Sequence, residues 1–247
     1  MSVKLELWQA RLTKVYIACV LFSCFGVAAQ KFLRTDPGPI APIMSALIML
    51  TGAGSIAISM RSWRSVGWVI AIGAIAEIVG LFTAFPFGRY EYTDRWVPTV
   101  PLGMGHRFPL LLPLAWLMMV GGSFLFVSRF WKDWRLVLGT AILAAAIDIP
   151  MERAMTDVLG YWKWIPPGPL YGAPILNTVG WVFVGGLAAI GLRQVAAVSG
   201  SSRLVLPFFC GFVAWNGFIT GFDPAWLSLL AFSVWLGLPQ KQNIIGE

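Results

Sequence analysis

The chain has 247 residues, 58% of them hydrophobic and 12% charged, with a formal charge of +7. An average soluble domain carries roughly 25% charged residues, so the composition excludes a soluble protein and fits one all-α bundle of about seven to eight spans of roughly 20 residues. The bundle forms a single integral membrane domain over residues 1–247. Lysines and arginines are spread through the loops, which argues against a nucleic-acid partner and leaves membrane lipids as the default surroundings.

In chain order, the polar start from Met1 to Lys14 gives way to the apolar run Val15–Ala29. Its pattern also fits a cleaved signal peptide, but no soluble domain follows that needs export, so a retained first helix is expected. The second span covers Pro39–Met60, with Pro39 and Pro42 suited to a first helical turn. The third, Gly67–Phe85, carries Glu77 between Gly73 and Gly80 on one face. Small residues there let another helix approach and bury the acid against protein. A long aromatic loop, FPFGRYEYTDRWVPTVPLGMGHRF, follows.

The fourth span is Pro109–Ser128, and the fifth, Trp134–Met155, places Asp148 and Glu152 one turn apart on one face. After the loop around GYWKW, the sixth span, Gly172–Leu192, holds Asn177 near its start. The seventh, Arg203–Phe222, aligns Asn216, Thr220 and Asp223, and a short apolar run, Ala225–Leu238, closes the chain. Counted loop by loop, eleven of the 18 lysines and arginines fall on the side of the N-terminus. The positive-inside rule therefore predicts a cytoplasmic N-terminus and puts Glu77, Asp148, Glu152, Asn177 and Asp223 in the outer half of the bundle.

Acids inside spans are the chemical signal. Glu77 and Asp148 each interrupt an apolar run, at a cost of roughly 2.5 kcal/mol or more at a helix centre unless satisfied. Buried acids can present a proton, while Tyr90, Tyr92, Tyr161, Trp162, Trp164 and Trp181 offer ring faces to a passing cation and exclude water. Together they suit acid catalysis on an apolar, electron-rich substrate. Blander readings stand beside this one. Trp131, Trp134 and Trp226 fit an interfacial belt, Glu152 a solvated pair with Arg153, Asp223 a cap for the next helix, and Glu91 and Asp157 ordinary loop charges.

The three cysteines, Cys19, Cys24 and Cys210, lack CxxC spacing and read as core, and the single histidine, His106, argues against histidine-based haem or zinc sites. No lysine lies mid-span for a retinal Schiff base, and no aspartate-rich magnesium motif appears. Neither a metal nor a cofactor is expected.

TAFPFGRYEYTDRW, PLAWLMM, GYWKW and YGAPILNTVGW, occurring in that order between Glu77 and Val184, resemble the membrane-integral carotenoid hydratases of the γ-carotene and bisanhydrobacterioruberin type. The resemblance implies a carotenoid biosynthesis enzyme that adds water to an acyclic ψ end group without redox cofactor or metal. It further implies a carotenoid drawn from the bilayer of a bacterial or archaeal cytoplasmic membrane, with other carotenoid enzymes as possible partners. On residue chemistry, Asp148 supplies the proton and Glu77 or Glu152 handles the water. Tyr90, Tyr92, Tyr161, Trp162, Trp164, Asn177, Trp181 and Asp223 line the site. The rival readings are a carotenoid end-group cyclase, which forms the same cation but loses a proton, and a non-catalytic pigment- or lipid-binding subunit. A transporter is disfavoured by the lack of an internal repeat.

Overall fold

Long apolar segments with few charges can satisfy their backbone only as helices, and helices make the bundle. The computed structural model describes residues 3–36, 38–195 and 200–221. In order these form α1 (Val3–Leu33), α2 (Ile40–Met60), α3 (Trp63–Thr83), β1 (Tyr90–Tyr92), β2 (Thr99–Gly103), β3 (His106–Pro109) and α4 (Leu112–Val127). There follow α5 (Asp133–Arg153), a π-helical turn (Ala154–Val158), β4 (Trp162–Trp164), α6 (Ile175–Ile190), a 3-10 turn (Gly200–Leu204) and α7 (Val205–Thr220). Among the described residues, five helical segments are long and apolar enough to cross a membrane, while α4 and α6 are shorter apolar helices of 16 residues each. Asp223, Trp226 and the run Ala225–Leu238 lie outside the described residues.

Local chemistry sets the helix ends. Pro39 and Pro42 occupy the cap and first turn of α2, where no backbone N–H is needed. The Ser62 hydroxyl accepts a hydrogen bond from Ser65 N and starts α3, which ends at Ala84 in the left-handed region. Pro150 sits inside α5, and the helix widens a turn later, where Leu159 N donates to Ala154 O at 3.0 Å.

Two expectations change. The first helix begins at Val3, not Val15. Its polar residues Gln9 and Thr13 are buried, and they bond to hydroxyls of α2 and the 3-10 turn: Gln9 Nε2 to Ser59 Oγ at 2.5 Å, Thr13 to Ser55 at 2.7 Å, and Ser59 to Ser202 at 2.6 Å. Satisfied in this way, polar residues extend a helix where their composition predicts a loop. The long aromatic loop also has regular structure, because β2 pairs antiparallel with β3 and β1 pairs with the distant β4.

The C-terminal ends of α3 and α5, the start of α6 and the β1–β4 ribbon meet at one end of the bundle. The hydroxyl network holds the other.

Candidate active site

Glu77 lies six residues before the end of α3 and is buried. Three side chains donate to its carboxylate: Tyr90 OH at 2.6 Å and Tyr92 OH at 2.8 Å on one oxygen, and Trp116 Nε1 at 2.9 Å on the other. The neighbouring glycines make this possible. A Cβ on Gly73 would stand 2.5 Å from Trp116 Cγ, and one on Gly80 would stand 2.9 Å from the Tyr90 hydroxyl. The expected close approach at these glycines is thus made by the aromatic donors themselves.

Glu152 has a parallel arrangement. Trp164 Nε1 at 2.7 Å and Trp162 Nε1 at 3.0 Å donate to Oε2, and Asn177 Nδ2 donates to Oε1 at 2.9 Å. The reading of Glu152 as a solvated partner of Arg153 is corrected: Glu152 points inward, and Arg153 pairs with Asp157 at 3.8 Å on the exposed side.

The ribbon links the two acids. Tyr90 stands opposite Trp164 and Tyr92 opposite Trp162 in the β1–β4 register, so each facing pair sends one donor to Glu77 and one to Glu152. Between these pairs Glu91 faces Lys163, an ion pair at 3.2 Å on the outer surface. Burial, and secondarily the charge of Glu77, hold the Tyr90 and Tyr92 phenols well above the ordinary tyrosine range, so both stay donors.

Asp148 differs from both glutamates. Its Oδ2 accepts from Asn177 Nδ2 at 2.7 Å, while its Oδ1 is buried and has no hydrogen-bond partner among the described residues. Asn177 therefore bridges Asp148 and Glu152 through one amide nitrogen.

All three acids line one cavity of about 60 Å³, together with Tyr90, Tyr92, Trp162, Trp164, Asn177 and Trp181. Trp181 stacks on Trp116, with ring centroids 4.1 Å apart and planes 16° from parallel. Tyr161 stacks instead on Trp96 at 5.0 Å and faces an adjoining cavity. The sequence reading missed Trp116, Trp96, Phe87 and a methionine-rich floor formed by Met49, Met118, Met119, Met151 and Met155. Trp116 was open to recognition, because an indole N–H deep in an apolar span needs an acceptor and Glu77 is an acid deep in another. The methionines carry no such signal, since apolar packing explains them equally well. Among the described residues, no group of three or more His, Cys, Asp or Glu side chains is close enough to hold a metal ion.

A family model described as "Carotenoid biosynthesis protein" matches residues 38–235, well over half of the chain. The chain belongs to the carotenoid biosynthesis protein family. The matched stretch contains all three cavity acids and both strands of the ribbon that joins them. No curated protein and no solved structure matched the chain. In this carotenoid biosynthesis protein the cavity has a largely aromatic and thioether wall, and its acids are held in unlike surroundings. That combination can deliver a proton to a hydrocarbon and shelter the resulting cation.

Proposed function

We propose that this member of the family is a hydratase that adds water across the terminal double bond of an acyclic carotenoid end group. The observation that carries the reading is the contrast among the acids: Glu77 and Glu152 each accept from three side chains, whereas Asp148, which lines the same cavity, accepts from one and keeps an oxygen without a partner among the described residues. Donors around a carboxylate favour its charged form over what burial alone would allow. An acid with a free oxygen is suited to present a proton.

In the proposed reaction Asp148 gives its proton to the less substituted alkene carbon, and the π electrons form the new C–H bond. The positive charge falls on the tertiary carbon, facing the rings of Tyr90, Trp164 and Trp181. Water attacks that carbon through its oxygen and loses a proton to a carboxylate, Glu152 being nearest in the hydrogen-bond chain through Asn177. The proton then returns to Asp148, and the net change is one added water. By the distribution of lysine and arginine, the N-terminus is cytoplasmic and the acid-bearing end outward.

Expression in a lycopene-accumulating host, followed by chromatography and mass analysis of the pigments, tests the proposal. The expected product is heavier by one water per reacted end. Products of unchanged mass and altered retention would replace hydration with cyclisation, and unchanged pigment with lycopene, γ-carotene and a longer acyclic precursor would refute both.

A further inference from the structure

The acid-lined cavity is too small to enclose a long conjugated hydrocarbon, so a substrate whose end reaches Asp148 must leave most of its length elsewhere. A second cavity of about 100 Å³, open on one side, adjoins the first, and the two share Met49, Met155 and Phe209 as a common wall. The second is almost wholly apolar and lies between α1, α2 and α7, reaching the outer surface at Phe22, Gly26 and Ile40, which are exposed. Those residues belong to helices that cross the membrane, so the opening faces lipid.

We propose that this second cavity binds the polyene chain of the substrate, and that Met49, Met155 and Phe209 form the passage through which the end group reaches Asp148. The wall suits that task, since two of its three members are unbranched thioethers that change rotamer at little cost. Opening between α1 and α2 lets an apolar rod enter sideways from the bilayer without crossing the polar surface. The inference rests on the carotenoid reading above and adds where the chain of the molecule lies and how it enters.

Gly26 provides a test, because it lines the opening and a Cβ there meets nothing within 4 Å, so a large side chain can be placed at this position without displacing the fold. Full-length wild type, Gly26→Trp, Ala41→Trp and Leu50→Trp are reconstituted in lipid nanodiscs and titrated with lycopene, and the retained pigment is read by absorbance. Ala41 lines the cavity beside Ile40, and Leu50 is an exposed α2 position outside both cavities. Gly26→Trp and Ala41→Trp are expected to bind about tenfold more weakly or worse, with Leu50→Trp like wild type. Binding by Gly26→Trp equal to wild type overturns the inference, as does an equal loss in Leu50→Trp. Wild type that binds no lycopene overturns it together with the proposed function. Binding that Gly26→Trp weakens, with no water-added product from wild type, overturns the hydratase reading and leaves the polyene site standing.

Discussion

Gly73 and Trp116 touch so closely that a methyl group on the glycine would occupy space now held by the indole, 2.5 Å from Cγ. The contact seats the indole N–H on Glu77. Gly73→Ala is therefore expected to push Trp116 off the carboxylate, with an overpacking cost of about 1–3 kcal/mol. Trp116→Phe keeps most of the ring and deletes the donor. Both variants should lose turnover in the pigment assay, and only Gly73→Ala should also show the packing defect in a thermal melt in detergent.

Asp148→Asn keeps the shape of the side chain and removes the proton donor. Turnover should fall about 10²–10⁴-fold, the range for loss of a general acid, while lycopene binding is retained. Full activity in this variant would show that the proton comes from another group.

Asn177→Leu strips the shared donor from Asp148 and Glu152 together. Leaving buried acceptors unsatisfied costs roughly 1–3 kcal/mol, so the unfolding midpoint should drop along with activity. Asn177→Asp adds a third acid at the same point and should be worse on both counts.

Burial, joined by the neighbouring Glu77 charge, raises the Tyr90 and Tyr92 phenols. The folded protein keeps these protons where the unfolded chain, with an ordinary tyrosine value of about 10, releases them. Stability contributed here is full below that value and declines as pH climbs from it toward the raised values. Ultraviolet titration of tyrosinate should show a late component that shrinks in Tyr90→Phe and Tyr92→Phe.

At the opposite end of the bundle, Ser59 receives from Gln9 and donates to Ser202. Ser59→Ala should lower stability by about 1 kcal/mol, in line with side-chain hydrogen bonds between membrane helices, and leave turnover unchanged. A drop in turnover at constant stability would tie the two ends of the bundle together in a way the packing does not predict.

Much of this arrangement is readable in the chain. Glu77, Asp148 and Glu152 stand out because acids are costly in apolar helices, and periodicity places Asp148 and Glu152 on one face. Long apolar runs likewise give the helices. What periodicity cannot give is pairing between segments far apart in sequence. YEY and WKW are too short to declare themselves strands, and nothing local says that they meet across some seventy residues. The polar face of α1 is hidden for the same reason, since Gln9 and Thr13 look like loop residues until Ser55, Ser59 and Ser202 supply their partners.

The ribbon of Tyr90–Tyr92 with Trp162–Trp164 also makes the spacing between Glu77 and Glu152 a property of strand pairing. Helices adjust their tilt when the bilayer thickens or thins, and sites built only from helix faces shift with them. Here four of the six donors to the two acids sit on a backbone ladder, where a one-residue slip in register would turn all four to the wrong face, while Trp116 and Asn177 donate from α4 and α6. The placement of those four donors is thereby tied to the ribbon, and a change in bilayer thickness is expected to move it less than it moves contacts made between helix faces alone.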